Sequence, residues 1–261
     1  MTPTMTTPSV TAAQQAPKAA GWNVAAGNLL FRYRNGLFPF IFLLVGLTMQ
    51  PRILLGSPAF DWFIRLLGAV LALSGEAIRL TTIGFEYIER GGKNHQVYAS
   101  KLVQGGVYAL VRNPMYVGNG LIAIGMTLLT GSPLTFLVVI PFFLFVYQAI
   151  IAAEENYLRG KFGNEFDAYC RQVNRFIPKF SRASQVLGGK AYDWKSAFRR
   201  DLSTMAGLAV GLILIPFWRI FRLYGFDAAQ QAAPETLLKL AAALGVYAFC
   251  IALKKTKKFF Y

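Results

Sequence analysis

Six apolar runs, with polar and mostly basic segments between them, limit what this chain can fold into. They lie at roughly 37–55, 60–82, 114–130, 134–153, 203–220 and 235–253. A membrane-crossing helix needs about 20 predominantly apolar residues, and each run is close to that length. Of the 261 residues, 55% are hydrophobic and the mean hydropathy is +0.42, too apolar for a soluble domain. The expectation is an all-α, polytopic transmembrane bundle of about six spans, with interfacial helices on the cytoplasmic side.

The charge pattern supports an even number of spans. The formal net charge is +15. In a soluble protein that excess would suggest nucleic acid. Here the basic residues flank apolar runs, so a membrane surface accounts for them and no nucleic-acid partner is expected. With a cytoplasmic N-terminus and six spans, Lys18, Arg32, Arg34, the loop 83–113, the segment 154–202 and the Lys-rich tail share one side. Arg52, Arg219 and Arg222 remain on the other. That asymmetry predicts a multi-pass protein of the inner or cytoplasmic membrane with both termini in the cytoplasm.

Three regions follow. Residues 1–36 form an N-terminal tail, disordered over 1–21 and without the basic start and apolar core of a secretory signal. Residues 37–202 hold four spans and two cytoplasmic segments, and residues 203–261 hold two further spans and a lysine-rich end. Gly131-Ser132-Pro133 is so short a break that the third and fourth runs must form an antiparallel helical hairpin. Segment 164–173 places Phe166, Tyr169, Cys170 and Val173 on one face of a short amphipathic helix. Within the second run, Glu76 and Arg79 are three residues apart and share a face where they can pair. Cys170 and Cys250 are far apart in sequence, and His95, in a glycine-rich turn, is the single histidine. No metal site is expected.

The richest stretch for chemistry runs from Gly106 to Gly118. It lies where a basic loop ends and the third apolar run begins. Asn113 suits an N-cap and Pro114 the first helical position. Arg112 and the open N–H groups of that helix end would attract a carboxylate or phosphate. The plainer reading is an interfacial cap with an arginine anchor and an aromatic belt from Tyr108 and Tyr116. The segments after the second and fourth runs fall on the same side and together can enclose a site. Arg112 would take an anionic group and Glu154 or Glu155 a cationic one, while Tyr108, Tyr116, Tyr157 and Tyr169 supply flat or hydroxylic surface. A ligand with a carboxylate, an ammonium, a sulfonium and a planar base suits that set. S-adenosylmethionine is one, since aromatic faces attract a sulfonium.

Segment 102–118 also resembles the signature LV-x-x-GPY-x-x-VRHPMY-x-G of the isoprenylcysteine carboxyl methyltransferase and phospholipid methyltransferase superfamily. A second block follows in order: Glu154-Glu155, Leu158, Phe162-Gly163, Glu165-Phe166, Tyr169, Val173, Arg175 and Ile177-Pro178. It is similar to EE-x-x-L-x-x-x-FG-x-EY-x-x-Y-x-x-x-V-x-R-x-IP. Arg79 stands where that family often has an arginine at the end of the preceding span. The resemblance implies an integral-membrane enzyme that uses S-adenosylmethionine at the cytoplasmic face and takes a lipophilic acceptor from the bilayer. It implies that Val107, Tyr108, Arg112, Asn113, Pro114, Tyr116 and Gly118 line the cofactor pocket. Glu154 and Glu155 would contact the cofactor or orient the acceptor, and Tyr169 and Arg175 would close the pocket. There are two departures. The family's histidine is Asn113 here, and its GPY is Gly106-Val107-Tyr108. Asparagine keeps the hydrogen bonding but cannot shuttle a proton near neutral pH.

The leading expectation is therefore in-line methyl transfer to a lipophilic or amphiphilic acceptor, with Arg112, Glu154 and Glu155 as the catalytic set. The acceptor can be an isoprenylcysteine-like carboxylate, a lipid amine or a thiol, and an amine or thiol acceptor needs a base, for which the two glutamates are the candidates. A non-catalytic membrane scaffold or lipid-binding protein with the same fold is the alternative. Ion-coupled transport has little support, because few ionisable residues lie at mid-membrane depth. Neither the oligomeric state nor the acceptor is readable from the chain.

Overall fold

The computed structural model describes residues 21–86, 97–189 and 191–255. Residues 1–20 of the expected tail, the turn that holds His95, and the last lysines of the tail lie outside the described residues. Among the described residues the secondary structure is helical throughout. The long helices are α1 (Trp22–Thr48), α2 (Pro58–Phe85), α3 (Pro114–Leu129), α4 (Pro133–Phe162) and α7 (Trp194–Lys255). Two short helices, α5 (Asn164–Gln172) and α6 (Ala183–Leu187), lie between α4 and α7.

Three helix starts share one local grammar. Ser57-Pro58, Asn113-Pro114 and Ser132-Pro133 each set a capping residue before a proline at the first turn. Ser57 Oγ accepts from Phe60 N at 3.3 Å, and Ser132 Oγ from Thr135 N at 3.4 Å. Asn113 departs from the pattern. It is the N-cap residue of α3, yet its side chain makes no capping bond. The expectation that its oxygen would cap the helix is corrected by the site described below, where its amide is engaged.

Helices α2, α4 and α7 are long and apolar enough to cross a membrane, and α3 is a shorter apolar helix. This is a membrane protein. At 1.5 Å per residue α3 extends only about 24 Å, short of a hydrocarbon core of about 30 Å. Helix α1 differs from the sequence expectation, because it begins at Trp22 rather than near 37. Its first half carries little continuous apolar sequence and is held by packing. Gly27 lies so close to α4 that a Cβ there would be 2.0 Å from the Ala149 carbonyl oxygen. Phe31 joins Val146 and Ile150 in a buried cluster.

Helices α2 and α3 meet backbone to backbone. A Cβ on Gly68 would lie 2.7 Å from Gly125 O, and one on Gly75 would lie 2.5 Å from Gly118 O. Both helices space their glycines seven residues apart, so one stripe of each is bare. Lipid tails are as apolar as side chains, so close van der Waals contact of this kind replaces the hydrophobic effect as the force between helices.

The two limbs of α7 break at Gly225, where φ is +85° and ψ is −171°. Residues with a Cβ rarely adopt that geometry. The second limb returns antiparallel to the first, since Lys254 Nζ donates to Arg199 O across 3.5 Å. The bundle thus has two distinct ends. One gathers the C-terminal ends of α2 and α4, the start of α3, helices α5 and α6, and both ends of α7. The other gathers the end of α1, the start of α2 and the α3–α4 turn. There Trp218 Nε1 donates to Gly46 O, and Arg52 N to Gly131 O at 2.9 Å.

Candidate active site

Backbone bonds first bring the two polar segments together. Arg112 N donates to Asn174 O at 2.8 Å, and Lys179 N donates to Leu110 O at 3.0 Å. The stretch before α3 is therefore laced to the stretch after α5, although more than sixty residues separate them. Helix α5 fixes this roof through its apolar face. Phe166, Tyr169 and Val173 are buried against Leu102, Leu158 and Phe162. Burying one large apolar side chain fully is worth about 1.5–3 kcal/mol, so three of them anchor a nine-residue helix that would not form alone. The Tyr169 hydroxyl donates to Tyr108 O at 2.7 Å. Burial raises the Tyr169 hydroxyl above its ordinary value, so it stays a neutral donor.

Beneath this roof is a cavity of about 700 Å³, within the roughly 300–1,000 Å³ range of small-molecule sites. Of the residues expected from sequence, Tyr108, Arg112, Asn113, Tyr116, Glu154, Glu155 and Tyr169 line it. The other five, Val107, Pro114, Gly118, Tyr157 and Arg175, do not. Val107 and Pro114 are buried beneath the wall. Gly118 faces α2, where a Cβ would be 2.6 Å from Arg79 Cγ. Its part is to admit Arg79 between the helices. Arg175 lies outside the cavity and grips Glu155, with Nε 3.1 Å from Oε1 and Nη2 3.1 Å from Oε2.

The adjacent glutamates, equivalent by sequence, differ in their surroundings. Glu155 is held on every side. Besides Arg175 it meets Arg112 Nη2 at 3.5 Å and accepts, loosely at 3.5 Å, from Asn113 Nδ2. Asn113 Nδ2 also donates to Arg175 O at 3.3 Å. An amide between a carboxylate and a carbonyl presents its nitrogen to both, and with the side chain turned to them its oxygen makes no capping bond to α3. Glu154 accepts a hydrogen bond from the Tyr116 hydroxyl at 2.6 Å. The Tyr116 ring leans on Tyr147 at 5.8 Å. Arg112 Nε is buried without a hydrogen-bond partner.

Sequence reasoning did not foresee much of the opposite wall. Arg79, which it noted for other reasons, reaches across from α2 and donates to Asp201, Asn119 and Thr204. The expected Glu76–Arg79 pair is present at 3.6 Å, but Asp201 is the nearer carboxylate. Arg34, Asn119, Arg200, Ser203 and Thr204 also line the cavity. The first limb of α7 thus closes the site, although the resemblance ends before it. A basic or hydroxylic residue at every third or fourth position of 200–204 was the available signal, and the surrounding basic stretch hid it.

The residues fit an S-adenosylmethionine-like ligand by donor set. Arg112 offers a guanidinium, Glu154 a carboxylate, and Tyr108, Tyr116 and Tyr147 aromatic rings. No group of three or more metal-ligating side chains occurs among the described residues.

Comparison with known proteins addresses the family of the chain. The phospholipid methyltransferase family model matches residues 63–165, a span that includes Arg79, Arg112, Glu154 and Glu155. A probable protein-S-isoprenylcysteine O-methyltransferase from Oryza sativa is 32% identical over 125 residues, 45% of this chain and 62% of that protein. The chain thus aligns with less than two thirds of the rice protein. The cobalt-zinc-cadmium resistance protein CzcN of Cupriavidus metallidurans is 32% identical over 168 residues, covering 62% of this chain and 71% of that one. The protein-S-isoprenylcysteine O-methyltransferase of Schizosaccharomyces pombe is 35% identical over 100 residues, 35% of this chain and 41% of that one. No solved structure matches. With its two signature blocks laced into one cavity, the chain belongs to the isoprenylcysteine carboxyl methyltransferase and phospholipid methyltransferase superfamily of membrane proteins.

Proposed function

We propose that this protein is an integral-membrane methyltransferase that moves a methyl group from S-adenosylmethionine to a lipophilic or amphiphilic acceptor. One observation carries the reading. Arg112, Glu154 and the tyrosines converge on a single cavity that can hold a charged, partly aromatic ligand at the end of an apolar bundle. The bound cofactor supplies a reactive sulfonium methyl, so the protein's contribution is positioning and exclusion of water. Arg112, fixed by Glu155 and through its backbone by Asn174, anchors a carboxylate. Glu155 acts chiefly by orienting Arg112, Arg175 and Asn113. Glu154, held by one tyrosine hydroxyl, is the group for a cationic centre or for an acceptor proton when the acceptor is an amine or thiol. Tyr108, Tyr116 and Tyr169 shape the pocket walls. Val107, Pro114, Gly118 and Arg175 support it from behind.

In this reading the bundle crosses the membrane six times, through α1 to α4 and the two limbs of α7. The cavity end is cytoplasmic, because the basic segments 97–112, 159–182 and 195–200 surround it. Because α3 is short, the cavity floor lies below the headgroups, where a lipid-borne acceptor can reach it. Residues 37–202 hold the cofactor, and the α7 limbs after 203 shape the acceptor side.

Titration calorimetry of detergent-purified protein with S-adenosylhomocysteine tests the claim. Saturable binding is expected for the native chain, with at least a tenfold loss in Arg112→Ala. No saturable binding by the native chain would refute the enzyme reading. It would favour the scaffold alternative, which Asn113 in place of the family histidine already keeps in view.

A further inference from the structure

Helix α1 sets two arginines in opposite surroundings. Arg32 is exposed and lies against the ring of its exposed neighbour Tyr33. Arg34, two residues on and so about 200° round the helix, lines the cavity. Its guanidinium lies over the Phe31 ring, 3.9 Å from the centroid. Phe31 is buried against Val146 and Ile150, and Tyr116 packs on the same cluster. One turn earlier, the close approach at Gly27 holds α1 against α4, so the Phe31 ring is a fixed platform. Stacking occupies the face of a guanidinium and leaves its N–H edge for an oxyanion. Arg79 is engaged by Asp201 and Arg112 by Glu155, whereas Arg34 is engaged by a ring, which does not use its donors.

The level of this platform matters. Ile150 and Val146 lie four and eight residues before Glu154, so the ring sits about 6–12 Å below that carboxylate along α4. Here the cavity lining is mostly apolar, with Ile122, Ala123, Phe143, Tyr147 and Ile150. Ionisable side chains at such depth are costly, and those that face a cavity mark substrate pathways. Arg112, beside the start of α3, serves the upper part of the cavity. Arg34 serves the floor.

We infer that Arg34 is a specificity-determining residue. Its guanidinium, seated on Phe31, binds a carboxylate or phosphate carried by the lipophilic acceptor, whose chain lies along the apolar floor. Calling that molecule the acceptor rests on the methyl-transfer reading, and the anion subsite itself does not. Helix α1 lies outside both signature blocks, so this selection is made by the chain's own first helix. An alcohol on the same chain would lack the charge that the guanidinium recognises, and an ammonium would meet it as a like charge.

The test uses the full chain in dodecyl maltoside with four probes that share one chain: oleate, oleyl phosphate, oleyl alcohol and oleylamine. Native mass spectrometry counts the bound probe, and calorimetry follows S-adenosylhomocysteine. The wild type is expected to retain oleate or oleyl phosphate roughly tenfold better than the alcohol or the amine, as a charge-assisted hydrogen bond allows. The better of the two anions identifies the head group. Arg34→Gln is expected to lose the preference while keeping its hold on oleyl alcohol and on S-adenosylhomocysteine. Arg34→Lys, which keeps the charge, is expected to keep part of it. Arg32→Gln is expected to behave as wild type, which separates Arg34 from the general attraction of a basic protein for anions. Equal retention of all four probes by the wild type would overturn the inference, whether or not the variants fold. So would an equal loss in Arg32→Gln, or a loss of S-adenosylhomocysteine binding in Arg34→Gln, which would assign Arg34 to the methyl donor. A wild type that keeps the anion preference but does not bind S-adenosylhomocysteine would support the subsite and refute the methyl-transfer reading alone.

Discussion

Helices α2 and α7 are tied together twice, and the two ties differ in what surrounds them. Asp61 and Arg79 stand eighteen residues apart on α2, and Asp201 and Arg219 eighteen apart on α7. On a helix that is about 27 Å. Antiparallel packing sets Asp61 against Arg219 at 2.7 Å and Arg79 against Asp201. Slipping either helix by one turn would break both pairs at once, so the charges fix register as well as attraction. At the Asp61 end the pair is sealed. Asp61 is 3% exposed, Arg65 braces it at 3.1 Å, and a Cβ on Gly131 would sit 2.8 Å from Arg219 Nε. At the other end Arg79 extends past Asp201 to Asn119 and forms part of the cavity wall. The same pair of residue types is a fastener where packing closes over it and part of a site where packing leaves a space.

The most disruptive substitution should be at the sealed end. Asp61→Ala leaves Arg219 buried without its carboxylate, and breaking a buried pair costs about 3–5 kcal/mol. Reversible unfolding in mixed micelles should read that loss, while ligand affinity of the folded fraction stays unchanged. Asp201→Asn should cost less, about 1–3 kcal/mol, because Glu76, Asn119 and the cavity remain to Arg79. Unlike the first, it should weaken S-adenosylhomocysteine binding or turnover. Equal stability losses with no change in binding would erase the contrast between the ends.

Gly118→Ala probes the space that admits Arg79. The added methyl would meet Arg79 Cγ at 2.6 Å and Gly75 O at 2.7 Å, so a destabilisation of at least about 1 kcal/mol is expected. Gly120→Ala on the same helix, with no atom within 4 Å of its Cβ, should be neutral or slightly stabilising by the same unfolding assay. The smallest destabilisation should come from Arg159→Ala. Its pair with Asp167 is 53% and 41% exposed, and such surface bridges are worth about 0–1 kcal/mol. Arg159 also lies over the Phe166 ring at 5.4 Å, so a larger loss would mean that α5 depends on Arg159 through that bridge and ring together.

The residues of the site were visible in sequence to different depths. Tyr108, Arg112, Asn113, Tyr116, Glu154, Glu155 and Tyr169 could be placed together because helix breaks and span count put their segments on one side. That reasoning fixes sides, not directions. It could not tell that Arg175 grips Glu155 from outside, or that Gly118 serves Arg79. It also gave Glu154 and Glu155 the same prospects, because adjacent residues on a helix differ by 100° of rotation and only the neighbours show what each one meets. Asn113 shows the limit most clearly. Its residue type says cap, but a carboxylate and a carbonyl across the cavity entrance claim its amide.

The sequence by itself determined the apolar runs, the prolines and caps that start α2 to α4, and the side on which basic residues collect. Those depend on hydropathy and on local backbone chemistry, which act within a turn or two. The tertiary structure decided the early start of α1, the placing of the expected break between the last two spans at Gly225, and the choice of Asp201 over Glu76 for Arg79. It also decided the closing of the cavity by Arg200, Ser203 and Thr204. Each of these depends on contacts between segments twenty to more than a hundred residues apart, and no pattern along one helix encodes which neighbour it will meet.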